Sequence, residues 1–259
     1  MVLGAWLLSG CAGPAAQLPA AEQPPVAAQA GDPAPGVAAE GSAPGEASAV
    51  GAPVPVPFEG WEPRPMPAKR WVPFQPVRVD GVVGLEVRAQ SSLSLLRKRV
   101  VPPWDRPARL HFSWWVEGLV DGADLSDSDA SDAPAQVLVA FEGDRNLLSA
   151  RNALMSELTL LLTGEELPYA SLVYVWTNEH PVGTVIRDPR TDRIRYLVVE
   201  QGPERLRQWV HHARDVHADF RRVFNEQPGA IVGLAVMTDT DNTRQSTRAV
   251  FGPVWLDER

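Results

Sequence analysis

The sequence predicts a mainly β protein, a β-sandwich with one or two short helices, preceded by a disordered linker rich in Ala, Pro and Gly. Three observations carry this. Seven segments alternate side chains with period two, the spacing of a strand. Only two segments show helical steps. The 25 prolines crowd toward the front of the 259-residue chain, where they break any periodicity.

The opening reads as an anchor. "MVLGAWLLSGCAG" is a short apolar run ending in Leu8-Ser9-Gly10-Cys11. It resembles the lipobox of bacterial lipoproteins, where the chain is cut before a cysteine that is then lipidated. Ser9 and Gly10 are the small residues such a cut requires. No basic residue precedes Cys11, although a signal peptide starts with positive charge. This predicts a true start upstream of Met1. Ala12 rather than an acid follows the cysteine, which by resemblance to enteric lipoproteins favours the outer membrane. The expected organisation is a signal peptide and lipobox over residues 1–11, a linker over 12–60 and the folded domain over 61–259. The linker holds almost nothing but Ala, Pro, Gly, Val and a few acids. Such a segment buries too little apolar surface to offset the entropy of ordering. As a polyproline-II tether it would reach roughly 140 Å when extended.

The strands follow in order. "VVGLEVRAQSS" sets Val83, Leu85, Val87 and Ala89 against Gly84, Glu86, Arg88 and Gln90. "RLHFSWWVE" puts Leu110, Phe112, Trp114 and Val116 on one face and His111, Ser113, Trp115 and Glu117 on the other. "AQVLVAFEG" alternates Val137, Val139 and Phe141 with Leu138 and Ala140. "LVYVWTN" places Leu172, Tyr174, Trp176 and Asn178 opposite Val173 and Val175, and "RIRYLVVE" behaves alike. "AIVGLAVM" and "AVFGPVWL" read as the last two strands. The first helix is "SARNALMSELTLLL", with Leu147, Leu148, Ala153, Leu154, Leu158 and Leu161 at three- and four-residue steps and Thr163-Gly164 as its stop. In "RLRQWVHHARDVHADFRRVFN" the stretch 215–224 is helical in spacing, while its first half fits a strand equally well. Short strands, frequent turn signals and several doubly apolar strands point to two sheets packed face to face.

Six motifs then stand in a recognisable order: "LHFSWWVEG", "ASDAPAQVLVAFEG", "LPYASLVYVWTN", "GTVIRDPRTDRIRYLVVEQG", "WVHHARDVHADFRRVF" and "GLAVMTDTDNT". Together they resemble the bacterial family known as domain of unknown function 3047, over residues 71–256. The resemblance implies no activity, since the family has none established. Ser131 stands where the family has an acid, Gln136 where it has an arginine, and Arg244 where it has a glycine. A site built on that acid pair and arginine would be weakened here. The order of elements is also similar to a galactose-binding, jelly-roll-like sandwich, a likeness of fold that does not set function.

Four groups of residues are candidates for chemistry. The knot "TDTDNT" with Asp239, Asp241 and Asn242 fails as an EF-hand, because Arg244 and Val250 fall where Gly and Glu are required. It reads either as a turn capped by its own Asp and Asn side chains or as a looser calcium site completed by Asp132 of the acidic loop "DGADLSDSDASDAP". Structural calcium is therefore the one cofactor the sequence raises, as the alternative to a plain turn. Trp115 with His111 and Glu117, and Tyr174 with Trp176 and Asn178, form mixed aromatic-polar faces. Each is either core or a platform on which sugar rings stack. Arg214 and Asp215 in "ARDVHADF" are read as structural pairing, with Arg214 reaching Asp132 or Asp239. Finally, Glu117 with Asp132 or Asp239 would be the paired carboxylates of a polysaccharide hydrolase or lyase, whose separation sets the outcome.

Several classes lose support. The net charge of −8 supplies no basic footprint for nucleic acid. The sequence holds no HExxH, GxSxG, P-loop or GxGxxG motif. The expected protein is a lipid-anchored module on the periplasmic side of the envelope. Its expected partner is a glycan or an envelope protein, and the polysaccharide-acting enzyme is the alternative.

Overall fold

The structure is a computed structural model that describes residues 58–258. Cys11 and most of the expected linker lie outside those residues. The fold begins earlier than the sequence boundary at residue 60: Phe58 is buried in the core and packs edge-on against Trp61, ring centroids 5.4 Å apart.

Two sheets form the domain. The strands are β1 (Glu62–Pro63), β2 (Gln75–Val79), β3 (Val82–Gln90), β4 (Leu93–Trp104), β5 (Ala108–Val116), β6 (Ala133–Phe141), β7 (Ala170–Thr177), β8 (Val185–Arg187), β9 (Ile194–Gln201), β10 (Trp209–Asp215), β11 (Ile231–Asp239), β12 (Ser246–Phe251) and β13 (Trp255–Glu258). The helices are α1 (Ala150–Thr163) and α2 (Val216–Phe224). One sheet runs β1-β4-β11-β6-β7-β9-β8 and the other β10-β5-β12-β3-β2. Strand β13 joins the second sheet on β5, pairing Trp255 with His111. All pairings are antiparallel except β7 with β9. There the chain runs out to the edge strand β8 and returns between β8 and β7.

The alternation read in the sequence is the packing of the sandwich. Leu110, Phe112, Trp114 and Val116 of β5 share one core with Ala135, Val137, Val139 and Phe141 of β6 and Leu172, Tyr174 and Trp176 of β7. Each aromatic side chain of this size removes about 150–250 Å² from water, worth roughly 4–6 kcal/mol of transfer free energy. Helix α2 adds Val216, Phe220, Val223 and Phe224 to the same core, with Phe220 on Phe141 at 4.4 Å. Asp215 caps the helix by accepting from the Ala218 N–H. The ambiguous segment before it is strand β10, so the two periodicities were two successive elements.

A second cluster lies on the other face of the seven-stranded sheet. Val173, Val175, Tyr196, Val198 and Ile186 pack there under Leu125 of the acidic loop. Strand β7 is thus buried on both faces, which is why "LVYVW" has no polar side. Close approach of strands sets one glycine: a Cβ on Gly84 of β3 would lie 2.5 Å from the Phe251 carbonyl of β12.

Candidate functional site

The acidic residues converge. β11 runs beside β6 with Asp239 opposite Ala133, so the end of one strand meets the start of the other. Asp132 precedes β6, Asp239 ends β11, and Asp241 and Asn242 follow in the turn. Oxygen atoms of Asp132, Asp239 and Asp241 all lie within 4.8 Å of one another. Asp132 holds the turn by accepting from the Asn242 N–H at 3.2 Å, the Thr243 N–H at 2.8 Å and the Thr243 hydroxyl at 2.7 Å. The Asn242 amide donates to the Ser128 carbonyl at 2.9 Å, tying the turn to the acidic loop. The Asp241 N–H donates to Asp239 Oδ1 at 3.3 Å. Lys69 pairs with Asp241 Oδ2, while Asp241 Oδ1 is buried with no partner among the described residues.

Both readings of the knot are therefore visible: a turn bonded by its own side chains, and a set of oxygens of the kind a hard cation takes. Asp239 carries the strain of the arrangement. Burial, then the neighbouring charges of Asp132 and Asp241, push its pKa up to about 8. The other acids of the loop stay apart from the cluster. Asp124 accepts from Ser126 and faces His180 Nε2 at 2.9 Å, and the His180 contact first, then Ser126, holds its pKa down to about 2.

Of the two readings of the aromatic faces, the structure gives the core. Tyr174 and Trp176 are wholly buried between the sheets. The Trp176 N–H donates to the Gly202 carbonyl at 3.0 Å. The Tyr174 hydroxyl donates to Asp219 at 3.0 Å. Trp115 is on the outer side of β5, as expected, yet only 7% of it is exposed. The Arg248 guanidinium lies 4.9 Å above its ring, and Trp209 and Val250 flank it on the neighbouring strands. Period two says which side chains share a face but not whether that face is wet. Asn178 is spent on structure, donating to the Val120 carbonyl at 2.7 Å.

Two further expectations are corrected. Arg214 does not reach Asp132 or Asp239. It forks onto Asp219, Nε at 2.9 Å and Nη2 at 2.7 Å, because the strand-to-helix junction places Asp219 one helical turn beyond the cap. Glu117 does not pair with Asp132 or Asp239 either. It follows β5 of the six-stranded sheet, 3.6 Å from Arg248, whereas Asp132 precedes β6 and Asp239 ends β11 of the seven-stranded sheet.

His111 keeps its place at the surface and gains partners the sequence did not reveal. Trp255 of β13 stacks on it, centroids 4.9 Å apart and planes within 4°. Asp257 Oδ2 lies 2.9 Å from His111 Nε2. The Trp255 ring is 49% exposed. Trp255 was hidden because "AVFGPVWL" reads as one strand. The signal was Gly252-Pro253, which interrupts a strand and separates β12 from β13. A second feature was also missed. Arg64, Arg97 and Arg99 all meet Glu165 beside a groove of about 640 Å³.

A family model described as "Protein of unknown function (DUF3047)" matches residues 59–255. The chain belongs to the DUF3047 family. The match takes in β1 to β12 and the acidic knot and ends at Trp255, the first residue of β13. Comparison with the curated proteins finds no match. Among solved structures the DUF3047 chain is similar to the carbohydrate-binding module TmCBM61 in complex with β-1,4-galactotriose, at 9% identity and TM-score 0.33, covering 78% of this chain and 90% of that one. It is also similar to the xyloglucanase domain of NopAA from Sinorhizobium fredii in complex with cellobiose, at 8% identity and TM-score 0.39, covering 78% and 92%. A third is CBM28, a module specific for non-crystalline cellulose, at 10% identity and TM-score 0.36, covering 76% and 87%. Likenesses of this size do not say what the DUF3047 domain binds.

Proposed function

We propose that the domain is a glycan-binding module held on the periplasmic side of the cell envelope, at the outer membrane, by a lipid on Cys11. The observation that supports it is the exposed Trp255 ring, fixed flat against His111 with Asp257 beside it. A sugar ring presents axial C–H groups that pack on the open face of an indole. Its equatorial hydroxyls then need polar partners at the rim. Asp257, two residues along β13 and hydrogen-bonded to the His111 ring behind the indole, is the polar group nearest to it. The indole is held by the stack, so little side-chain entropy is lost on binding. The net charge of −8 favours neutral glycans over polyanions.

The test is a titration of soluble polysaccharides followed by tryptophan fluorescence, with wild type and Trp255→Ala. The substitution should weaken binding more than tenfold and leave the melting temperature unchanged. Equal binding by both proteins, or no binding of any glycan by wild type, would overturn the proposal. The anchor is tested by Cys11→Ser, which should move the protein out of the membrane fraction. Continued recovery there would refute lipidation.

A second reading rests on the three carboxylates of Asp132, Asp239 and Asp241 within 4.8 Å. With Asn242 they would hold a structural calcium ion that ties the β11–β12 turn to the acidic loop. The corresponding test is developed in the Discussion.

A further inference from the structure

Helix α1 is built inside out. Its buried residues are Asn152 and Ser156. Both are hydrogen-bonded to the body of the domain. The Asn152 amide donates to Asp192 at 2.5 Å and accepts from the Thr191 hydroxyl at 2.8 Å. The Ser156 hydroxyl accepts from Arg145 at 2.5 Å. Partly buried Thr159 and Thr163 continue this polar stripe. These bonds fix which way the helix faces, and the leucines face away. Leu147, Leu154, Leu158, Leu160, Leu161 and Leu162 are between 39% and 81% exposed. Leu154, Leu158 and Leu161, all within α1, are spaced four and three apart, the seam of a two-helix contact. Contiguous apolar patches of this kind mark an interaction site.

We infer that α1 is a self-association surface, pairing antiparallel with α1 of a second copy of this chain. The arrangement is self-complementary in shape and charge. A twofold axis at Leu158 sets Leu154 of each copy against Leu162 of the other. The same axis brings exposed Arg151, near the start of one helix, to the Glu165–Glu166 end of the other. Glu166 is half-exposed and lies 3.2 Å from Arg145 Nε, so the arginine of the second copy would be a second cation on the same carboxylate. Antiparallel pairing also opposes the two helix dipoles.

A lipid surface is the poorer occupant. Helices that lie on membranes carry Lys and Arg on their polar face, whereas the polar face of α1 is uncharged and buried. The flanking Glu157, Glu165 and Glu166 are acidic. The size of the patch sets the strength. A helix of 14 residues is about 21 Å long, which places the interface at the weak end, below roughly 1,200 Å² in total. The dimer should accordingly dissociate in the micromolar range or above.

The experiment uses the full chain with Cys11→Ser, which removes its single cysteine. Sedimentation velocity over micromolar to millimolar protein should show a concentration-dependent dimer. Leu154→Glu combined with Leu158→Glu should leave a monomer with an unchanged melting temperature. Leu158→Cys, on the axis, should form a disulfide-linked dimer on mild oxidation, and Leu147→Cys should not. A monomer at the highest concentration would overturn the inference. So would a dimer that survives the double substitution, or equal cross-linking through both cysteine positions. A monomeric wild type that binds neutral lipid vesicles through the same leucines would assign the face to lipid instead.

Discussion

Replacing Asp239 by asparagine should stabilise the domain at neutral and alkaline pH. Asp239 is 6% exposed, and its pKa is pushed up to about 8 by burial and by Asp132 and Asp241. The unfolded carboxyl titrates near 3.9. A carboxyl whose folded pKa lies above its unfolded value supports the fold while it keeps its proton. That support fades as pH rises from the unfolded pKa to the folded one. Each pKa unit is about 1.4 kcal/mol, so the fold gives up at most about 4 kcal/mol between pH 4 and pH 7. Asparagine has no proton to lose. Its Oδ1 can still accept from the Asp241 N–H, and its amide can donate where the protonated acid would. The substitution should therefore be near neutral at pH 4. It should raise the melting temperature at pH 7 by up to roughly 8–16 °C, taking about 2–4 °C per kcal/mol for a domain of this size.

Calcium turns the same experiment into a test of the metal reading. A cation among the three carboxylates would compete with the proton on Asp239 and stabilise the native state, by about 2.7 kcal/mol at one hundred times the dissociation constant. The gain should grow with pH and vanish in Asp239→Asn. The assay is thermal unfolding of both proteins at pH 4, 7 and 9, in EDTA and in millimolar calcium. If Asp239→Asn is less stable than wild type at pH 9 in EDTA, the buried charge is already compensated and the reasoning fails. If calcium leaves wild type unmoved at every pH, the knot is a turn and nothing more.

Two further expectations concern the core. His212 stacks on Phe112 at 4.8 Å and edge-on to Trp114 at 5.3 Å, and burial, with smaller help from Arg205 and Arg214, holds its pKa down to about 4. A histidine with a lowered folded pKa costs nothing above its unfolded value near 6.5 and costs up to about 3 kcal/mol once pH has fallen through the folded one. His212→Phe should flatten that acid limb, read by urea unfolding at pH 7 and pH 4; an unchanged difference between the two pH values would contradict it. Asp219→Ala should cost about 3–5 kcal/mol in the same assay, because it strands the Arg214 guanidinium and the buried Tyr174 hydroxyl together; a loss below about 1 kcal/mol would show that water or another acceptor takes over.

Most of the sandwich was legible because strand alternation is imposed by the core itself. The strands missed are those where cations and prolines break the pattern. β4 carries Arg97-Lys98-Arg99 and ends in Pro102-Pro103-Trp104. Its Arg97 and Arg99 pair with Glu165, and its two prolines cannot donate to a strand ladder. Convergence of Asp132 with Asp239 and Asp241 was legible as a possibility, since both motifs border strands. The β6–β11 pairing that makes it real is a property of topology.

The burial of Trp115 and the exposed leucines of α1, neither of which periodicity settles, share one physical cause. Periodicity reports which side chains travel together, and burial is then assigned by assuming that apolar faces are inside. Two layers defeat that assumption here. The acidic loop and the Arg248 guanidinium cover surfaces that would otherwise face water, so aromatic residues on the outer side of a strand are core as well. At α1 the reverse holds: a row of hydroxyls and amides is satisfied by Arg145, Thr191 and Asp192, and that polar contact outweighs the leucines in setting the roll of the helix. Hydrogen bonds to charged groups are worth about 1.5–3 kcal/mol each once buried, and leaving such groups unpaired costs as much again. Exposing each leucine forgoes a comparable transfer energy, roughly 1.5–3 kcal/mol. The two are close enough that a partner covering the leucines would recover the second without giving up the first.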